Sequence, residues 1–131
     1  MGDGRSDAKY KWQYGPAADI KTDVVPMTTG GLKQDTGKPQ ISLIPSEAIT
    51  EMAKAFTYGA TKYSAHNFKL GMKYSRLMDA ALRHLMAFNS GEDIDSESNN
   101  SHLGHAMASI AMLVYMWHNR QDLDDRYKEV K

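Results

Sequence analysis

An all-α domain of three to four helices, preceded by an irregular amino-terminal arm, is the fold class this sequence predicts. Three observations carry that expectation. Apolar residues recur at helical spacing in three separate stretches. Glycine and clusters of polar residues punctuate the chain between them. Almost no run alternates with the period of two that marks a half-buried strand.

Residues 1–35 mix glycine, proline and charge without a sustained period and read as the arm, with Tyr10, Trp12, Tyr14 and the pair Val24 and Val25 available to pin it. Residues 36–131 form the single helical domain. An extended apolar segment, Ile41 to Ile44, precedes Pro45, which disfavours helix before it and tolerates a helix start after it. The first helix therefore begins near Ser46. It places Ile49, Met52, Ala53 and Phe56 on one stripe and stops at Gly59. A second helix over about Tyr74 to Asn89 buries Leu77, Ala81, Leu85 and Phe88 and ends before Gly91. Ser101 caps a third, which turns Leu103, Ala106, Ile110, Leu113 and Trp117 inward, runs to about Asn119, and continues into a solvated, fraying tail. Met107, Met112, Val114 and Met116 widen its apolar arc beyond what two partner helices cover, so a homodimer or higher even-numbered assembly through this helix is expected.

Bulk composition excludes several function classes. Sixteen basic residues balance sixteen acidic ones in 131, so no global field draws the chain to nucleic acid or to an anionic membrane surface. There is no cysteine, hence no disulfide or thiolate metal site, which fits a cytoplasmic location. No apolar run approaches the roughly 20 residues of a membrane span. The glycine-rich GGLKQDTGKP carries Lys38 but has Pro39 where a P-loop wants Ser or Thr, and no GxSxG elbow occurs.

The chemistry-bearing residues gather around the second and third helices. His102 and His105, three apart, share one side of a helix, and His84 sits near the end of the helix before. The loop between supplies Glu92, Asp93, Asp95 and Glu97. A lone histidine facing a core is ordinarily a hydrogen-bonded structural residue, and acids in a loop are ordinarily solvated. Three imidazoles on facing surfaces with carboxylates between them instead suit a metal shell for Mg²⁺ or Mn²⁺, with metal-activated water as the chemistry. His84, Glu92, Asp95, His102 and His105 are the candidate ligands. Arg76 and Arg83 stand near Asp79 on one helix stripe and read either as surface ion pairing or as a phosphate clamp. The turn YGATKYSAHNF adds Tyr58, Lys62, Tyr63, Asn67 and Phe68, more aromatic and hydrogen-bonding capacity than a connector needs.

GKPQISLIPSEAI, YGATKYSAHNF, SRLMDAALRHLMAFNSGEDIDSES and SHLGHAMASIAML together resemble the amino-terminal domain family of phage dATP/dGTP diphosphohydrolases over about residues 33 to 117. That resemblance implies kinship with the MazG-like all-α nucleoside triphosphate pyrophosphohydrolases. They cleave a nucleoside triphosphate to monophosphate and pyrophosphate with Mg²⁺. The MazG-like pattern, E-E-x-x-E on one helix and E-x-x-D on the next, does not stand intact here. Asp79, Arg83 and His84 fall near the first motif and His102 with His105 at the second, while the literal E-x-x-D, Glu92 to Asp95, falls in the loop.

The reading that follows is a metal-dependent purine deoxynucleoside triphosphate pyrophosphohydrolase in a phage-infected cytosol. Glu92, Asp95 and His84 serve the reaction, and Lys38, Tyr58, Lys62, Tyr63, Asn67, Phe68, Arg76, Asp79 and Arg83 hold the substrate. The alternatives are a non-catalytic protein that captures a nucleotide or nucleotide-derived signal in the same pocket, and a helical interaction module whose histidines are core.

Overall fold

The computed structural model describes residues 30–130. The chain divides into two units, Met1–Leu43 and Ile44–Lys131. Tyr10, Trp12, Tyr14, Val24 and Val25, expected to pin the arm, lie outside the described residues. In the first unit the expected extended segment is instead a 3-10 turn, Ile41–Leu43, closed by a Leu43 N–H to Gln40 carbonyl bond of 3.0 Å.

The second unit holds three helices, α1 (Ser46–Lys62), α2 (Tyr74–Asn89) and α3 (His102–Asn119), and no strand occurs among the described residues. α1 starts directly after Pro45, whose carbonyl accepts from Ala48 and Ile49. It does not stop at Gly59. A helix-interior glycine costs only about 1 kcal/mol against alanine, and Gly59 accepts the closing bond from Tyr63 one turn later. α2 begins and ends where the spacing puts it, with Gly91 at φ 103° just beyond. Ser101 caps α3 by accepting from the Gly104 N–H at 2.9 Å.

α3 is the central element, packed along α2 on one side and crossed by α1 on the other. α2 and α3 run antiparallel: Tyr74 and Leu77 meet Met116 at one end, and His84 meets His102 at the other. Tyr74, Leu77 and Met116 form the buried core, and the Tyr74 hydroxyl donates to the Met116 carbonyl at 3.3 Å. Burial of each such side chain contributes roughly 1.5–3 kcal/mol. Phe68, Met72, Leu113, Tyr115 and Trp117 pack around it.

The inward face of α3 differs from the expected stripe. Ala106 is buried and Leu113 and Trp117 are partly buried as anticipated, but Leu103 and Ile110 are exposed. Buried in their place are His102, Gly104, Ala108, Ser109 and Met116, the last expected on an outer flank. The reason is close approach. A Cβ added at Gly104 would lie 2.5 Å from the Glu51 carbonyl oxygen, so only small residues fit where α1 crosses and the large ones turn outward.

Similar shifts hold elsewhere. On α1 Ala55 is buried and Met52 and Phe56 are half-buried, while Ile49 and Ala53 are exposed. On α2 the seam runs through Tyr74, Leu77, Ala81 and half-buried His84, leaving Leu85 and Phe88 exposed. The carboxyl-terminal tail does not prolong α3. The backbone breaks at Arg120 into a 3-10 turn, Gln121–Leu123. Asp125 then accepts from the Ser75 N–H at 2.9 Å, satisfying a free donor in the first turn of α2, and Arg126 lies over the Tyr74 ring at 5.5 Å.

Candidate functional site

The loop from Ser90 to Ser101 decides how the three histidines are held. It is a folded turn rather than a solvated connector: Ile94 pairs with Ser101 as an isolated antiparallel bridge, and the Asp95 N–H donates to the Asn100 carbonyl at 2.8 Å. Asn99 takes a left-handed φ of 60°, a conformation asparagine tolerates well. The Asp95 carboxylate accepts from the Ser98 hydroxyl at 2.9 Å and from the Ser98 N–H at 3.2 Å. The Asp93 carbonyl accepts from His102 N–H at 3.0 Å, anchoring the loop to the start of α3.

Each remaining acid meets a partner. Glu92 Oε1 lies 2.9 Å from His102 Nε2. His102 Nδ1 lies 2.9 Å from His84 Nδ1. His105 Nε2 contacts the Ser98 hydroxyl at 2.6 Å, with Asp95 behind it at 3.6 Å. The rings of His84 and His105 stack at 4.7 Å, 14° from parallel. His102 is buried. Burial, reinforced by the imidazoles of His105 and His102, holds His84 below the ordinary histidine value, against the opposing pull of Asp95. Burial lowers His105 as well, again opposed by Asp95. Burial alone would raise Asp95, but the Ser98 hydroxyl and backbone N–H bring it below the ordinary carboxylate value.

A second polar group adjoins this one. Glu97 accepts from Lys62 at 2.6 Å and from the Tyr58 hydroxyl at 3.2 Å, and these two donors lower its pKa. Tyr58 joins the two clusters, because its ring stands edge-on to His105 at 6.0 Å. It also lines an open groove of about 410 Å³ along α1, with Thr50, Lys54, Thr57, Thr61 and Asn100.

Of the sequence candidates, His84, Glu92, Asp95, His102 and His105 are brought together, with Tyr58 and Lys62 beside them. Tyr63 is exposed with Lys62 over its ring at 5.5 Å. Phe68 is placed in the core, against Phe56 at 5.8 Å and Tyr115 at 5.4 Å, and Asn67 opens the 3-10 turn that carries it there. Arg76, Asp79 and Arg83 are exposed on α2, and no ion pair joins Asp79 to Arg83. Lys38 belongs to the first unit, where its N–H closes a turn on Asp35.

Sequence reasoning missed Ser98, Lys54, Asn100 and the threonines. The Asp-x-x-Ser spacing of Asp95 and Ser98, typical of side-chain-capped turns, was the available signal for the first. Thr50, Thr57 and Thr61 at helical spacing on α1 was the signal for the groove.

The side chains expected to form a Mg²⁺ or Mn²⁺ shell contact one another instead. No three histidine, aspartate or glutamate side chains among the described residues are arranged to hold a metal ion. In this arrangement Glu92 Oε1 is engaged with His102 and Asp95 Oδ2 with Ser98. No described helix is long and apolar enough to cross a membrane.

Comparison with known proteins agrees with the resemblance. Residues 28–126 match the family model described as dATP/dGTP diphosphohydrolase, N-terminal. A "dATP/dGTP diphosphohydrolase" of Salmonella phage PMBT28 is 34% identical over 96 residues, which are 73% of this chain and 33% of that relative. The chain thus spans about a third of the length of the relative it matches. No solved structure matches it. The family match takes in all three helices and the loop that orders the histidines, so the chain belongs to the dATP/dGTP diphosphohydrolase amino-terminal family.

Proposed function

We propose that this domain acts on purine deoxynucleoside triphosphates, assisting attack of water on a phosphoryl group with loss of pyrophosphate. The observation that carries the reading is the juxtaposition at Tyr58. On one side lies a groove lined by three threonines and Lys54, and on the other a cluster of three imidazoles with two carboxylates behind them. In the groove the Thr57 and Thr61 hydroxyls donate to the Ala53 and Tyr58 carbonyls and so can accept from sugar hydroxyls, while Lys54, paired with Glu51, brings a cation for phosphate oxygens. The cluster offers proton acceptors that are neutral near pH 7 because His84 and His105 are shifted down. The family and the name of the phage relative support the substrate class.

Mg²⁺ or Mn²⁺ enters this reading with the triphosphate, as part of the substrate complex, since no three of these side chains are arranged to hold an ion by themselves among the described residues. Purified protein is incubated with each of the eight common nucleoside triphosphates and either ion, and monophosphate, diphosphate and intact substrate are resolved. Monophosphate from dATP or dGTP is expected. A ligand bound but returned intact after denaturation identifies the capture protein instead.

We infer also that the unit assembles as a homodimer through the outer face of α3. Leu103, Ile110 and Val114 are exposed there, and Met78, Leu82 and Leu85 are exposed on α2. Apolar exposure of this kind on a soluble unit marks an interface.

A further inference from the structure

The partners of the histidines impose a direction on their hydrogen bonds. An ionised carboxylate only accepts, so the 2.9 Å contact of Glu92 with His102 requires the proton on His102 Nε2. A neutral His102 then has a bare Nδ1. Across the 2.9 Å gap between the two Nδ1 atoms, one ring must donate, and the donor is therefore His84. That places the His84 proton on Nδ1 and leaves Nε2 with its lone pair. No hydrogen bond among the described residues occupies that nitrogen.

We propose that Glu92, His102 and His84 form a directional relay that fixes both tautomers and presents His84 Nε2 as the proton acceptor for the attacking water. Glu92 and His102 are positioning residues, and His84 is the catalytic base. In the step itself, the water oxygen bonds to the α-phosphorus of the triphosphate and its proton passes to His84 Nε2. The bond from that phosphorus to the bridging oxygen breaks, its electron pair leaving on pyrophosphate. The imidazolium so formed keeps its Nδ1–H on His102 and is favoured by the charge of Asp95, which lies 3.6 Å from the stacked His105 ring.

A parallel arrangement holds the stacked partner ring. Ser98 donates its only hydroxyl proton to Asp95 and accepts from the Asn100 N–H at 3.1 Å, so His105 Nε2 donates to Ser98 and its Nδ1 is bare. A carboxylate stands behind each stacked ring, one reaching it through a second imidazole and one through a hydroxyl. Each ring strengthens its donated bond on becoming cationic, but His84 donates to an imidazole nitrogen, a stronger acceptor than the hydroxyl that His105 meets, which suits His84 to the base role.

The inference rests on the hydrolase reading for its substrate, but its first test does not. Imidazole nitrogen shifts of the ¹⁵N-labelled full chain, with no nucleotide present, report each tautomer. Nδ1–H at His84 with Nε2–H at His102 is expected. Nδ1–H at His102, or Nε2–H at His84, overturns the relay. Glu92→Gln then removes the fixed acceptor from an exposed loop position. His102 should lose its single tautomer, and kcat with dATP or dGTP should fall by roughly 10²-fold or more, since positioned proton transfer contributes about 10²–10⁴. KM should stay within about twofold, because Glu92 does not contact the groove. An unchanged kcat overturns the base role. A wild type without turnover sinks that role together with the hydrolase reading, while the nitrogen shifts still decide whether the relay exists.

Discussion

The seam between α2 and α3 is buried and apolar at one end and built from imidazole at the other. Tyr74, Leu77 and Met116 close the first end, with the Tyr74 hydroxyl donating to the Met116 carbonyl. His84, His102 and His105 close the second, and every buried polar side-chain atom among the described residues has a partner. The same two helices make both ends, so helix geometry alone does not create the difference. What differs is the connection. The tail beyond α3 folds back to cover the apolar end, and the Glu92–Asp95 loop folds over the polar end with its acids aimed at the rings. Stability and chemistry are thus separated along one helix pair by about two to three turns of α2.

The strongest way to break this comparison is to empty the apolar end. Met116 is fully buried, and Met116→Ala is expected to cost about 2–5 kcal/mol in urea unfolding, the range for large-to-small core changes. The imidazole tautomers of the remaining folded protein should not change. If they do, the two ends are one cooperative unit rather than two.

Gly104→Ala probes the crossing of α1 near the polar end. The added methyl would meet the Glu51 carbonyl, so α1 must move away from α3, at roughly 1–3 kcal/mol by analogy with overpacked cores. Because Tyr58 on α1 touches His105, nucleotide binding in the groove should weaken as well. Stability loss with unaltered binding would detach the groove from the histidine cluster.

These two positions also show what the sequence disclosed. The limits of α2 and the Ser101 cap were legible because capping and glycine signals are local. The meeting of His84 with His102 and His105 was legible from spacing plus a short loop. The inner face of α3 was not. That helix is apolar around most of its circumference, so periodicity had no polar face to choose against, and the choice fell to the close contact of Gly104 with a backbone 53 positions earlier in the chain. Phe68 was equally opaque. A phenylalanine in a polar turn reads as a ligand contact until the partner rings, Phe56 and Tyr115, are seen to enclose it. Glu97 was visible as one more loop acid, but its pairing with Lys62 depends on α1 continuing past Gly59.

Acid should act on the polar end first. His84 and His105 both lie below the ordinary value of 6.5 in the folded chain, so below that pH the unfolded chain binds more protons than the folded one. Their contribution to stability is complete above pH 6.5 and is lost as pH falls through the depressed folded values. Urea midpoints measured from pH 7.5 down to 5.5 should decline, and the decline should shrink in a His84→Gln, His105→Gln double variant. A decline that the double variant leaves untouched would assign the acid sensitivity to other groups.

The smallest expected change in monomer stability comes from the outer face of α3, which belongs to neither end of the seam. Ile110 is 47% exposed and Val114 45%, on the side opposite the small residues packed against α1. Replacing an exposed apolar residue by a charged one ordinarily alters stability by no more than about 0.5 kcal/mol. Ile110→Lys should therefore leave urea unfolding of a dilute sample nearly unchanged. In a dimer packed through this face the same lysine would be buried opposite its own copy, and two like charges in a desolvated contact cannot both be accommodated. Light scattering at micromolar concentration is expected to show a dimer for the wild type and a 14.7 kDa species for the variant. A wild type that is itself monomeric and active removes the dimer. A variant that remains dimeric moves the interface elsewhere, and the exposed Met78, Leu82 and Leu85 on α2 become the next residues to change.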